Sequence, residues 1–241
     1  MPAEEPPRMT REIPEGYTVL RTRDVTLVYR NGRTDLLRLA EPGPAPGAPS
    51  SRTGRSAIRI IEPDLVVRPL LHGGLFRALT GPRFLSASRS MRELATSAYL
   101  ASQGIPTPEV LAVRVQRSGL FLSIEVVTRL VPGAVDLLTH LEDHPDDCRE
   151  LMRRTGGLIR RMHDLGVYHP DLHVKNILLD ARAELYVLDL DSARRFPRLP
   201  RFLRRMNLRR FARSVNKWHA TGRIHVPESW ELSFRAGYED V

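Results

Sequence analysis

A polar loop that runs directly into an apolar segment carries residues able to bind a metal ion or a phosphate. The loop reads YHPDLHVKNILLD over residues 168–180 and contains Asp171 and Asn176, five positions apart. Asp189 follows at the end of the next apolar run, ELYVLDLD. A loop, strand, turn and strand of this length should bring the carboxylates of Asp171 and Asp189 and the amide of Asn176 close together at one end of the strands. Three hard oxygen ligands there would suit Mg²⁺.

Residues of these types are the working set for phosphoryl transfer, in which an aspartate orients a hydroxyl while an asparagine and an aspartate hold magnesium. The pattern H-x-D-x-x-x-x-N, followed by an apolar strand that ends in aspartate, resembles the catalytic and metal-binding loops of the protein-kinase-like fold. The resemblance implies that Asp171 is the catalytic base and that His169 braces the loop. It implies that Asn176 and Asp189 hold magnesium. Asp191 is a rival for the metal role, but Asp189 matches the spacing and directly follows the apolar run.

A basic residue upstream extends this resemblance. In kinase-like folds a strand lysine pairs with the ATP phosphates and is held by a glutamate on the following helix. In the segment LVVR, Arg68 stands at the lysine position, and Glu93 on the next predicted helix is its expected partner. The planar guanidinium can also bind phosphate. The segment SRTGRS precedes this strand pair, so the backbone amides of Gly54 and Ser56 are candidate phosphate contacts.

Further segments narrow the resemblance to one group of kinases. The chain is similar to the lipopolysaccharide core kinases over about residues 51–215. The similarity lies in the polar loop and in three further segments, RPLLHGGLFRALTG, RELATSAYLASQGIPTPEVLAV and VTRLVPGAVDL. The similarity is specifically to the 3-deoxy-D-manno-octulosonic acid (Kdo) kinases, in which arginine at the strand-lysine position is usual. The resemblance implies transfer of the γ-phosphate of ATP, with Mg²⁺, to the 4-hydroxyl of Kdo on a Kdo-lipid A precursor. The residues alone leave heptose or another sugar open as the acceptor.

The elements that must position these residues change character along the chain. The first part favours strands around one helix, and the second part favours helices around one hairpin. The predicted elements of the first part are a hairpin over 17–40 around Asn31-Gly32, strands at 56–61 and 64–70, a helix at 86–103, and strands at 110–116 and 120–131. Those of the second part are helices at 134–144 and 146–164, a hairpin at 176–191, and a basic helix after Pro200.

This order predicts an α+β, two-lobed protein-kinase-like fold with an antiparallel sheet N-lobe and a mainly helical C-lobe. We expect the N-lobe over 17–130 and the C-lobe over 131–241, after a disordered lead-in at 1–16 that is rich in Pro and Glu. Residues 128–132 would form the hinge under the adenine. Only about fifty residues follow Asp189, which favours a small-molecule or glycolipid acceptor over a protein.

The charge of the chain predicts an anionic partner. The net charge is +9, and nine arginines fall within 194–213. A basic helix with an apolar face can lie on an anionic membrane surface, whereas the simpler alternative is a helix packed on the C-lobe with solvated arginines. No apolar run reaches the roughly 18 residues that a membrane span needs. We therefore expect a cytoplasmic protein in peripheral contact with the cytoplasmic face of the inner membrane.

Two other classes of function remain open from the residues. His169, Asp171 and His173 form H-x-D-x-H, which could be a fragment of a metal hydrolase site. The high pI of about 10.5 could indicate a nucleic-acid-binding module. Aromatic residues make up only 6% of the chain, which gives little support for base stacking, and we expect no nucleic-acid partner.

Overall fold

The structure is a computed structural model that describes residues 13–43, 48–49, 58–61, 63–70, 87–119 and 121–240. These residues form two compact units, and the boundary between them falls after Leu130. Residues 99–108, which the sequence suggested for the N-lobe, group with the second unit because Leu100 and Ile105 are buried in its core. Of the expected disordered lead-in, residues 1–12 lie outside the described ranges, and Ile13 packs against the core of the first unit.

Within the described residues, the first unit is built on a seven-stranded antiparallel sheet. Its strands lie in the order β1-β2-β6-β7-β5-β4-β3. They are β1 (Tyr17–Arg21), β2 (Val25–Arg30), β3 (Ala48–Pro49), β4 (Arg59–Ile61), β5 (Leu65–Pro69), β6 (Val110–Ser118) and β7 (Phe121–Arg129).

Both faces of this sheet are covered, which explains why its inner strands are apolar at successive positions. Side chains alternate between the faces of a strand, so neighbouring residues such as Leu27 and Val28 enter different cores. Helix α1 (Ser88–Ser102) covers one face, where Leu94 packs with Val28. A 3₁₀ helix (Thr34–Ala40) covers the other, where Leu36 packs with Leu27.

The predicted hairpin around Asn31-Gly32 is wrong in its second strand. The hairpin of the structure joins β1 to β2, with Tyr17 opposite Arg30, and the segment LLRL lies in the 3₁₀ helix instead. Leu36 and Leu39 are three positions apart and are both buried, a spacing that presents one face of a 3₁₀ turn. Alternation over so short a segment could not distinguish the two structures.

A buried ionic network ties this 3₁₀ helix to the sheet. The side chains of Arg114 on β6 and Glu125 on β7 are 2% and 6% exposed, and Arg114 Nη1 donates to Glu125 Oε2 over 2.8 Å. The remaining guanidinium donors bond the backbone carbonyls of Leu39, Glu41 and Gly43 at 2.6–2.9 Å. A cation at these carbonyls satisfies groups that the end of a helix leaves without partners.

The second unit is mainly helical. Its strands form one sheet in the order β11-β10-β8 and a separate pair, β12-β9. The elements are β8 (Val135–Asp136), α2 (Leu137–Asp143), α3 (Cys148–Asp164), β9 (Val167–Tyr168), β10 (Ile177–Leu179), β11 (Leu185–Val187), β12 (Arg194–Arg195), α4 (Arg201–Ala220) and α5 (Trp230–Glu239). The sequence did not predict α5.

Helices α3 and α5 approach each other so closely that glycine is required on both. A Cβ at Gly156 would lie 2.1 Å from the carbonyl oxygen of Phe234, and one at Gly237 would lie 1.8 Å from that of Arg153. These obstacles are backbone atoms, which cannot rotate away as a side chain could. Gly156 of the Gly156-Gly157 pair therefore serves close helix packing, one of the two interpretations that the sequence allowed.

Helix α4 buries only part of its apolar residues. Phe211 and Val215 are buried, whereas Phe202 and Met206 are 62% and 50% exposed. The buried positions are Asn207, Phe211 and Val215, which recur every four residues. Among the described residues, no helix combines the length and apolar character that crossing a membrane requires.

Candidate functional site

In the first unit, Arg68 and Glu93 form an ion pair. Arg68 on β5 directs its Nη2 to both carboxylate oxygens of Glu93 on α1, over 2.6 Å and 2.7 Å. Glu93 is buried, while Arg68 is partly exposed at a position opposite Val126 of β7. A strand cation held by a buried helix carboxylate is an arrangement that can hold phosphate. The other two candidate phosphate contacts, Gly54 and Ser56, lie outside the described residues.

In the second unit, the polar loop and the strand before Asp189 are joined through Leu188. The carbonyl of Leu188 lies 2.8 Å from His169 Nε2, and its amide donates to the carbonyl of Asn176 over 2.9 Å. A carbonyl can only accept, so Nε2 carries the hydrogen. Burial lowers the pKa of His169, which favours the neutral ring. His169 therefore braces the segment that presents Asp189.

The same loop brings Asp171 and Asn176 together. Asn176 Nδ2 donates to the backbone carbonyl of Asp171 over 2.9 Å, which fixes the amide and leaves Oδ1 as the oxygen that a metal could use. Asp189 has φ 57° and ψ 57°, a left-handed conformation that is uncommon outside glycine. Strain of this kind is often found at functional sites.

These residues fit a metal that takes most of its ligands from elsewhere. One amide oxygen and one carboxylate would leave the remaining Mg²⁺ positions to phosphate and water, which is how magnesium is usually held. Within the described ranges, no group of three His, Cys, Asp or Glu side chains could hold a metal ion. The metal hydrolase alternative needs such a group, and its His169 ring is already engaged with Leu188, so the geometry disfavours it.

Asn207 on α4 clamps the polar loop, and the sequence analysis did not single it out. Its Nδ2 donates to the carbonyl of His169 over 2.6 Å, and its Oδ1 accepts from the amide of His169 over 3.1 Å. Both backbone groups of one loop residue are thus satisfied by one buried side chain. A signal was available, because Asn207 precedes Phe211 and Val215 at the spacing of a buried helix face.

A buried histidine supports this asparagine. His163 Nε2 lies 3.1 Å from Asn207 Oδ1, and His163 Nδ1 lies 2.8 Å from the hydroxyl of Tyr238 on α5. Because Asn207 Oδ1 accepts from the backbone, Nε2 must donate to it, and Nδ1 then accepts from Tyr238. Burial lowers the pKa of His163 to about 4, so this neutral form persists at pH 7.

Two further residues of α4 contact the loop. Ser214 Oγ accepts from the amide of Val174 over 2.9 Å, and Arg210 pairs with the carboxylate of Asp171. With Asn207, they fall on one face of the helix, at spacings of three and four residues. A single helix face therefore contacts the loop from His169 to Val174. The sequence showed Arg210 only as one of many arginines.

Comparison with known proteins identifies the family to which the chain is similar. The model of the lipopolysaccharide kinase (Kdo/WaaP) family matches residues 66–238, from β5 to α5. A 3-deoxy-D-manno-octulosonic acid kinase of Vibrio vulnificus (strain YJ016) is 31% identical over 196 residues, which cover 78% of this chain and 82% of the relative. The corresponding kinase of Vibrio cholerae is 32% identical over 174 residues, 69% of this chain and 73% of the relative.

A solved structure of WaaP in complex with acyl carrier protein has a similar fold. It superposes with a TM-score of 0.58 over 88% of this chain and 84% of that one, at 19% identity. The likeness supports the predicted α+β kinase-like architecture, with an antiparallel sheet in one unit and helices dominating the other. From the match over 66–238 and the identity to curated relatives, the chain belongs to the lipopolysaccharide kinase (Kdo/WaaP) family.

Proposed function

We propose that this protein transfers the γ-phosphoryl group of ATP to a hydroxyl of Kdo in the inner core of lipopolysaccharide, on a Kdo-lipid A precursor. The observation that carries the proposal is the joining of the two loops through Leu188, with Asp171 and Asn176 on one side and Asp189 on the other. The membership of the family and the 31% identity to a Kdo kinase support the choice of acceptor.

In the proposed reaction the acceptor oxygen attacks the γ-phosphorus in line, and the bond from that phosphorus to the β-γ bridging oxygen breaks, releasing ADP. Asp171 accepts or orients the hydroxyl proton. Arg68, held by Glu93, binds phosphate oxygens through its guanidinium. His169, Asn207 and Ser214 position the loop, because they contact its backbone or its supporting strand. The contribution of Gly54 and Ser56 to phosphate binding stays a prediction.

Asn176 Oδ1 and the Asp189 carboxylate are the proposed magnesium ligands. Magnesium bound there would neutralise the charge of the ATP phosphates. The fixed amide of Asn176 and the left-handed backbone of Asp189 support this assignment, because the first fixes one hard oxygen and the second is a conformation often found at functional sites. Asp191 remains the rival ligand.

The proposal includes a peripheral position on the cytoplasmic face of the inner membrane. Its support is the exposed pair Phe202 and Met206, which lies beside exposed Arg201 and Arg205 on α4. Apolar side chains among cations suit the interface of an anionic bilayer. Flotation with vesicles that contain anionic lipid should be lost in the Phe202→Ser, Met206→Ser variant, whereas equal flotation would contradict this part of the proposal.

The decisive experiment follows labelled γ-phosphate from ATP into Kdo-bearing lipid A precursor in the presence of magnesium. We expect label in the lipid with the unaltered protein and a loss of about 10³-fold or more in kcat for Asp171→Asn, because the amide cannot accept the proton. ATP binding should persist in this variant. Asp146→Asn is the matched control, since Asp146 is an exposed carboxylate of the same unit.

Normal turnover in Asp171→Asn would contradict the assignment of Asp171 as the base. ATP binding without transfer to the Kdo lipid would redirect the search to heptose or another sugar acceptor. The metal assignment has its own test, in which nucleotide affinity is titrated with magnesium in Asp189→Ala and Asp191→Ala. Weakened affinity only in Asp189→Ala is the expected result, and the reverse pattern would move the metal to Asp191.

A further inference from the structure

The proposed base is paired with a cation that the phosphoryl-transfer scheme does not require. Arg210 Nη2 contacts Asp171 Oδ1, and both side chains are 44% exposed. Asp171 therefore presents a carboxylate that a guanidinium already occupies on one oxygen. A hydroxyl that approaches Asp171 has to share it with Arg210 or displace the guanidinium.

The backbone of Arg210 is held on both sides, although its side chain reaches solvent. Asn207 precedes it on the same face of α4 and bonds both backbone groups of His169. Ser214 follows it and accepts from the amide of Val174. The backbone of Arg210 is consequently held in place beside the loop, while its long side chain can change partner without a movement of the helix.

The pair with Asp171 is not needed to hold the loop in place. Ion pairs between half-exposed side chains contribute little to stability, because water screens them and two side chains must be ordered. The buried Asn207 already fixes the loop through two backbone hydrogen bonds. The guanidinium can therefore exchange Asp171 for another anion at little cost.

Two other hydrogen-bond donors of the loop, His173 and Lys175, lie near Asp171 and could contact a second anion. His173 Nε2 lies 3.9 Å from Asp171 Oδ2, and Lys175 follows in the same loop. Burial lowers the pKa of His173; Asp171 and Asp189 oppose this effect, whereas Arg210 and Lys175 add to it, so both carboxylates and both cations act on this ring. The planar fork of arginine matches a carboxylate with two parallel hydrogen bonds.

We propose that Arg210 is a specificity-determining residue that leaves Asp171 to bind the carboxylate of the acceptor sugar. The inference rests on the proposed function, because Kdo is an ulosonic acid and carries a carboxylate at neutral pH. The carboxylate of an acidic sugar replaces Asp171 as the partner of Arg210 when the hydroxyl of the sugar reaches Asp171. A neutral sugar offers no such exchange, so Arg210 continues to compete for the base. Attraction to one substrate and obstruction of the other together give selectivity.

The test compares two acceptors, Kdo-bearing lipid A precursor and the same lipid with the Kdo carboxylate converted to a primary amide. Steady-state kcat and KM are measured for each acceptor and for ATP in the unaltered protein, Arg210→Gln, Arg210→Lys and Arg209→Gln. Arg209 is the matched control, an exposed arginine adjacent on α4. Thermal melting verifies that each variant is folded.

We expect the unaltered protein to prefer the acid over the amide by about 10- to 100-fold in kcat/KM, the range of a charge-assisted hydrogen-bonded pair. Arg210→Gln should raise KM for the acid and remove this preference, with KM for ATP unchanged. Arg210→Lys should retain part of the preference, because it keeps the charge and loses the fork. Arg209→Gln should behave as the unaltered protein.

Two results would overturn this inference and leave the proposed function standing. One is equal use of acid and amide by the unaltered protein, with label entering both lipids. The other is a raised KM for ATP in Arg210→Gln with the preference for acid intact, which would assign the guanidinium to a nucleotide phosphate. Failure of the unaltered protein to label either lipid would overturn the proposed function and this inference with it.

Discussion

Each unit of the protein buries a polar network, but one network is ionic and the other is neutral. In the first unit, Arg114 and Glu125 are almost fully buried as charged side chains, and the guanidinium reaches the carbonyls that end the 3₁₀ helix. In the second unit, the network consists of buried His163 and Asn207 and of half-buried Tyr238, which are uncharged at neutral pH.

The two networks have different tasks. The ionic network fastens a covering segment, the 3₁₀ helix, to the sheet. The neutral network holds the loop that contains Asp171, where an added buried charge would act on the proposed base and on phosphates bound beside it. The comparison suggests that a catalytic loop is best oriented by buried hydrogen bonds that carry no net charge.

The largest effect on stability is expected from Glu125→Ala. The substitution leaves the Arg114 guanidinium buried without its carboxylate, which should cost about 3–5 kcal/mol of unfolding free energy. Chemical denaturation measures the loss, and the kcat of the remaining folded protein should change little. The double variant Arg114→Met, Glu125→Leu is the control and should regain part of the stability, because the Arg114 charge is no longer buried. The recovery is incomplete, because the carbonyls of Leu39, Glu41 and Gly43 lose their donor and Arg59 loses its partner Glu125. A loss below about 1 kcal/mol for the single variant would contradict the ionic description.

Acid should weaken the neutral network by a comparable amount. The pKa of His163 is about 4 in the folded protein, against an ordinary value of 6.5. Its contribution to stability is fully present above pH 6.5 and is lost as the pH falls from 6.5 towards 4, because only the unfolded chain binds the proton there. The total is on the order of 3 kcal/mol.

The measurement is the unfolding free energy between pH 7 and pH 4 in the unaltered protein and in His163→Gln. The variant should be less stable at pH 7 and should show a flatter dependence on pH. His225→Gln replaces an exposed histidine and should keep the original slope. Parallel curves for His163→Gln and the unaltered protein would exclude His163 as the source.

A smaller loss of stability, but a large loss of activity, is expected from Asn207→Ala. The substitution leaves the amide and carbonyl of His169 without their buried partners, which should cost about 1–3 kcal/mol. Because the loop loses its clamp, kcat should fall at least tenfold while KM for ATP stays within about twofold. Asn216→Ala, an exposed asparagine of the same helix, is the control. Full kcat in Asn207→Ala would show that the remaining contacts suffice to orient the loop.

The smallest effect is expected from an exposed ion pair. Glu142 and Arg223 of the second unit are bonded over 3.0 Å, and their side chains are 39% and 38% exposed. Glu142→Gln should change stability by less than about 1 kcal/mol, because solvent screens the pair. Denaturation in low and high salt measures the difference. A loss as large as that in Glu125→Ala would mean that charge alone, without burial, determines the contrast between the networks.

The sequence predicted those parts of the site that lie close together along the chain. One loop–strand–turn–strand segment, whose geometry follows from local spacing, contains His169, Asp171, Asn176 and Asp189. The expected partner of Arg68 was found on the next helix because a familiar pattern relates a strand cation to a helix carboxylate. Several longer strands and most helices were predicted within a few residues from apolar periodicity, whereas β1, the two-residue strands and α5 were not predicted.

The remaining contacts depend on distant segments that no local pattern relates. Asn207 bonds His169 across 38 positions and Arg210 pairs with Asp171 across 39. In an arginine-rich chain, composition conceals which arginine has a specific partner. The 3₁₀ helix at 34–40 was missed because its burial is determined by the far side of the sheet, where Leu36 packs with Leu65 and Val127.

The contact between His163 and Tyr238 also imposes an order on biosynthesis. The two residues are 75 positions apart. Translation at about 5–20 residues per second separates their appearance by roughly 4 to 15 seconds. During that interval the nascent chain already contains the polar loop, but not the helix whose Gly237 seats against α3 and whose tyrosine orients the histidine. The polar loop therefore gains its full support only after α5 has been synthesised, and a chain that ended before α5 would have an incompletely supported loop.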